Sequence, residues 1–90
     1  MVEILGTATV MATFEMKKEF IAGAKVTSGR IAKGDQIKIM RDETEIGRTK
    51  IKTLKHFKED ITKAESGKEV GIGLAQKLEI LTGDSIISIG

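Results

Sequence analysis

Leu54-Lys55-His56-Phe57-Lys58-Glu59-Asp60-Ile61-Thr62-Lys63-Ala64 is the stretch on which the fold turns. Leu54, Phe57, Ile61 and Ala64 fall at i, i+3, i+7 and i+10, the spacing of one face of a helix. The same residues read equally as a strand end, a turn at Glu59-Asp60 and a short strand through Ile61-Thr62-Lys63-Ala64. Periodicity does not separate the two over so short a run. The flanks carry more information. Downstream, Val70, Ile72 and Leu74 alternate with Glu69, Gly71 and Gly73. A strand faced with glycine leaves its backbone open to close approach, and the same pattern fits a bulge or a tight barrel corner. Thr82-Gly83-Asp84 then turns into a closing strand, Ser85-Ile86-Ile87-Ser88-Ile89.

Upstream the pattern is strand after strand. Ile4, Ala8, Val10, Ala12, Phe14 and Met16 share one parity and Glu3, Thr7, Thr9, Thr13 and Glu15 the other, which predicts a half-buried strand with Phe14 on its inner face. Lys17-Lys18-Glu19 reads as a polar turn, Ser28-Gly29 as a hairpin signal, Lys33-Gly34-Asp35 as a second turn and Asp42-Glu43-Thr44 as a third. Gln36 to Arg41 and Glu45 to Leu54 are extended between them. Gly34-Asp35-Gln36-Ile37 and Gly83-Asp84-Ser85-Ile86 echo one another, an echo that ordinary Gly-Asp turn chemistry accounts for. Short strands at regular spacing with ten glycines argue for an all-β fold, a small closed β-barrel that leaves no sheet edge unpaired.

A chain of 90 residues makes one domain, 1–90, burying roughly 60–65% of its unfolded surface, so the core is thin and a deep substrate cavity is not expected. The absence of cysteine removes disulfides, thiolate metal sites and cysteine nucleophiles, and fits a reducing compartment. No apolar run approaches the roughly 18 residues of a membrane span, so no membrane partner is expected, and no signal-peptide pattern opens the chain. Enzyme chemistry finds little to use. The single histidine, His56, lies in a basic run that itself holds no carboxylate to orient it. The serines lack a nucleophile-elbow context, and Asp42-Glu43 and Glu59-Asp60 are adjacent carboxylates of turns. No calcium-loop spacing and no phosphate-cradling glycine motif occurs, so no metal, cofactor or catalytic residue is expected.

The formal charge of +2 is unevenly spread. Arg48, Lys50, Lys52, Lys55 and Lys58 fall within eleven residues that contain no acid, while the rest of the chain sums to −3. Clustered bases act together on a polyanion within a Debye length of about 8–10 Å, although alternating lysines also keep sheet edges unpaired. Stacking on a base would fall to Phe14, Phe20 or Phe57, since the chain has neither tyrosine nor tryptophan. Phe57 sits among Lys55, His56 and Lys58, where a single-stranded end could stack for roughly 1–3 kcal/mol; core packing is the competing role.

Several collinear blocks resemble the C-terminal barrel of bacterial translation initiation factor two. They are Ile21-Ala22-Gly23-Ala24-Lys25-Val26 with Gly29-Arg30-Ile31, then Ile37-Lys38-Ile39-Met40-Arg41-Asp42, then Leu54 to Ile61. Gly67-Lys68-Glu69-Val70-Gly71-Ile72 and Gly83-Asp84-Ser85-Ile86 complete the series, which runs from about Gly6 to Ile89. The resemblance implies strand, turn and short strand over 54–64. It also implies a barrel similar to the second domain of elongation-factor GTPases, at the C-terminus of a larger cytoplasmic factor whose GTPase activity lies in a separate domain.

By the same resemblance, the domain binds the formylmethionyl group and 3′ acceptor end of initiator tRNA and meets the ribosome through its parent factor. The implied contact residues are Gly23, Ala24 and Lys25, then Lys55, His56 and Phe57, then Glu69, Val70 and Gly71. An isolated domain of this kind is expected to be a monomer. The alternative reading is a structural or protein-contact barrel of a translational GTPase without tRNA-end recognition. Where the family carries cysteine this chain has Ala24 and Val70, which keep a pocket small and apolar, and where it carries arginine this chain has His56. A neutral imidazole cannot fork onto a phosphate as a guanidinium does, so phosphate holding at that position is expected to weaken.

Overall fold

The computed structural model describes residues 3–16, 19–76 and 80–90. Eight strands follow in order: β1 (Ile4–Met16), β2 (Glu19–Ala32), β3 (Gln36–Arg41), β4 (Thr44–His56), β5 (Glu59–Asp60), β6 (Lys63–Glu65), β7 (Glu69–Leu74) and β8 (Ser85–Ile89). The sheet runs β1-β8-β3-β4-β7-β2 and closes on itself because β1 also pairs with β2, making a six-stranded barrel of antiparallel pairs. β6 extends the end of β2, and β5 doubles back on the end of β4. The expected closed all-β barrel is therefore the fold, and 54–64 contains no helix.

Burial drives closure. Val10, Val26, Ile31, Ile37, Ile39, Ile51, Leu54, Ile72 and Ile86 are sealed inside, each contributing roughly 1.5–3 kcal/mol relative to exposure. Two aspartates fasten the barrel's turns. Asp84, buried, accepts from Arg41 Nε and Nη2 at 3.0 Å each and from the Leu81 N–H at 2.9 Å. Asp35 accepts from Arg30 Nη1 at 2.7 Å, the Ala32 N–H at 3.1 Å and Ser88 Oγ at 2.6 Å.

Three local expectations are corrected. Ser28-Gly29 is not a hairpin: β2 runs unbroken through it, and Gly29 faces Gly6 across a tight β1–β2 crossing. There a Cβ on Gly6 would overlap the Arg30 backbone. The turn after His56 is Phe57-Lys58 rather than Glu59-Asp60, since His56 pairs directly with Glu59. Phe14 is not an inner residue but 53% exposed. The reason is a register shift between Val10 and Ala12: Val10 lies opposite Ala24 in the buried row, while Ala12 lies opposite Gly23 in the outer one. The extra residue, Met11, inverts the parity that the sequence carries past it. Of the Lys17-Lys18-Glu19 turn, Lys17 and Lys18 lie outside the described residues, as does the side chain of Phe20.

Candidate functional site

The bulge at Met11 sets up a row across four strands on the barrel's outer face. Ala12 of β1 lies opposite Gly23 of β2, Gly23 opposite Gly71 of β7, and Gly71 opposite Lys55 of β4. Two adjoining glycines at the centre of the row leave a trough with no side chain on its floor. Met11, Ala12 and Phe14 flank it on the hairpin side, Phe57 reaches it from the β4–β5 turn, and the groove encloses about 450 Å³. A Cβ on Gly23 would lie 3.4 Å from Phe14 Cε2, and one on Gly71 would lie 3.4 Å from Ile21 Cγ2. Methyl groups would fit there, at the cost of filling the trough.

Among the described residues, Phe57 and Asp42 are the non-glycine residues with a left-handed backbone. Phe57 is 84% exposed and adopts φ +58° at the first position of a two-residue turn, where glycine or asparagine is the usual occupant. The left-handed conformation costs a residue with a Cβ roughly 1–2 kcal/mol. Its ring lies 4.5 Å from the His56 imidazole, tilted by 52°. The reading of Phe57 as core is thereby removed.

Six of the nine expected contact residues, Gly23, Ala24, Phe57, Glu69, Val70 and Gly71, line this one groove. Ala24 and Val70 do so from the buried row, where both belong to the hydrophobic core. Lys25, Lys55 and His56 do not line it. Lys25 sits opposite Glu69 at one rim, and Lys55 sits opposite Gly71 at the other. Among the described residues, Lys25, Lys55 and Lys58 have no carboxylate within ion-pair distance, so their charge is free to act on a ligand. Sequence reading missed Met11, Ala12 and Phe14, because the bulge that turns them outward leaves no mark in an alternating pattern. Among the described residues no three His, Cys, Asp or Glu side chains gather as a metal site would require.

A six-stranded closed barrel whose concave surface lies outside the ring, with an aromatic at its tip and cations at its rim, belongs to the class of small closed β-barrel domains. The family model of elongation factor Tu domain 2 matches residues 19–87, and the chain belongs to that family. Translation initiation factor IF-2 of Bartonella henselae is 39% identical over 83 residues, covering 91% of this chain and 10% of the relative. The corresponding factor of Rhizobium meliloti is 35% identical, covering 91% of this chain and 9% of its own length. The chain thus spans about a tenth of the length of the curated relatives it matches. Translation elongation factor SelB of Methanococcus maripaludis, in its apo form, superposes with a TM-score of 0.80 at 20% identity. That match covers 96% of this chain and 19% of SelB, and supports the fold.

Proposed function

We propose that this barrel is the C-terminal domain of a translation initiation factor two and binds the formylmethionyl group and 3′ acceptor end of initiator tRNA. The observation that carries the reading is the convergence of Gly23, Gly71, Glu69 and Phe57 on one trough between two rims of unpaired lysines. The methionyl side chain, unbranched and polarizable, suits a narrow apolar trough floored by glycine backbone. Phe57, held out in solvent, is placed to stack on a terminal base for roughly 1–3 kcal/mol. Lys25, Lys55 and Lys58 supply phosphate contacts, and His56 supports the Phe57 ring rather than forking onto a phosphate. The rest of the parent factor provides the ribosome contact and GTP hydrolysis, in the cytoplasm.

An NMR titration of the 90-residue chain with a formylmethionyl acceptor-end fragment, beside unformylated and uncharged fragments, tests this. Shifts confined to Gly23, Phe57 and Gly71 and their neighbours, largest with the formylated ligand, are the expected result. Equal and diffuse shifts that vanish at moderate salt would leave a barrel without tRNA-end recognition.

A further inference from the structure

A second basic surface lies along the same strand, away from the trough. Register places Lys38 of β3 directly opposite Arg48 of β4, and Gln36 opposite Lys50. Cross-strand neighbours share a face, so Lys38, Arg48 and Lys50 project together from the barrel's outer side. Like charges directly opposite one another destabilise a sheet, and this pair is only partly relieved. Glu45 bonds Arg48 at 3.0 Å, with both side chains well exposed. Among the described residues, Lys38 and Lys50 have no carboxylate within ion-pair distance. Beside these bases opens a cavity of about 360 Å³, bounded by Gln36, Arg48, Lys50 and Gln76 over Ile37 and Ile89. Concave shape, unneutralised cations and side-chain amides together suit a flexible polyanion with hydrogen-bonding groups.

We propose that this β3–β4 face is a second RNA contact, which grips the phosphate backbone independently of the acceptor-end trough. Lys50 stands five residues before Lys55, the nearest cation of the trough's rim, about 17 Å along β4. That is about two Debye lengths at physiological salt, so neutralising one surface leaves most of the other's field in place. The contact reads charge and shape, with no base sequence implied.

The test compares the wild-type chain with a Lys38→Gln/Arg48→Gln/Lys50→Gln variant and with a charge-matched Lys33→Gln/Lys63→Gln/Lys68→Gln control. Each is titrated with a blunt RNA hairpin lacking any 3′ single strand, over a salt series. The expected result is a salt slope shallower by about 2–3 for the β3–β4 variant alone, as three lost phosphate contacts require. Its binding to the formylmethionyl acceptor fragment should be unchanged, which separates failure of this proposal from failure of the trough reading. Equal losses in the control would reduce the effect to net charge and overturn the proposal. So would an unaltered slope, or equally tight binding of polyglutamate in place of RNA. Acceptor-stem and ribosomal RNA hairpins of equal length form two further arms, and the tighter one names the source of the strand. Chemical denaturation of both variants establishes that each is folded.

Discussion

At the scale of the residue, Phe57 joins two properties that rarely coincide, a left-handed backbone and an aromatic ring left in water. The conformation is unfavourable for phenylalanine and the exposure forgoes burial, so neither serves the stability of the barrel. Phe57→Gly separates the two contributions. Glycine accepts φ +58° freely, so folding stability should stay level or rise by up to about 1 kcal/mol in urea titrations. Affinity for the acceptor-end fragment should fall by about 1–3 kcal/mol, roughly fivefold to 150-fold, with the ring gone. A large stability loss would mean the ring packs against the barrel. Sequence drew attention to Phe57 through its basic neighbours, but its turn was misplaced by two residues. Turn prediction leans on glycine, proline, asparagine and aspartate, and Phe57-Lys58 contains none of them.

At the scale of the element, the echo between the two Gly-Asp segments becomes a structural motif. Asp35 bonds the Ala32 N–H through its carboxylate and donates its own N–H to the Ala32 carbonyl, and Asp84 does the same with Leu81. Gly34 and Gly83 precede them at φ +89° and +96°, and nothing lies within 4 Å of the position a Cβ would take. Alanine there meets only the backbone penalty. Gly34→Ala and Gly83→Ala should therefore each cost about 1–2 kcal/mol, near equal to one another, by denaturant unfolding. A much larger loss at either site would point to packing that the open surroundings do not contain. The same scale shows where sequence failed. Strand existence was legible from alternation, whereas the shift at Met11 was not. A bulge answers to the coiling that a closed six-stranded ring demands, and that demand is nonlocal. Alternation alone therefore points Phe14 inward and hides the trough's hairpin wall of Met11, Ala12 and Phe14.

At the scale of the whole molecule, ring closure and acid sensitivity meet at Asp84. The Arg41 guanidinium bonded to its carboxylate holds its pKa below the ordinary 3.8, with the Leu81 N–H assisting and burial opposing. A depressed carboxylate stabilises the fold above its unfolded pKa, and the contribution fades as pH falls through the native value. Asp84→Asn should cost about 2 kcal/mol at pH 7, toward the low end for a charge-assisted pair because Arg41 is 38% exposed. The gap from wild type should hold down to about pH 5 and narrow below pH 4, as read by thermal unfolding across pH. A gap that widens on acidification would reverse the assigned sign. Charge on this scale also looks different from its sum: +2 overall conceals five bases and no acid from Arg48 to Lys58, set against −3 over the rest of the chain.

The arm that carries Phe57 is fastened to this ring by few hydrogen bonds, with Ile61 at its base packed against the core. Beyond the ring, β5 contributes two residue pairs, Lys55 with Asp60 and His56 with Glu59, and the Ile61 N–H bonds the Leu54 carbonyl at 2.9 Å. Breaking those links leaves every one of the six ring pairings in place. Opening of the arm is then a separate, cheaper event than global unfolding. In hydrogen exchange the Glu59 and Ile61 amides should open sub-globally, while those of Ile39 and Ile86 wait for the whole barrel to unfold. Uniform protection across all four would show a single cooperative unit instead. The barrel is in effect a rigid frame with one clip that melts by itself, so lesions in recognition and lesions in thermal stability should fall on different residues.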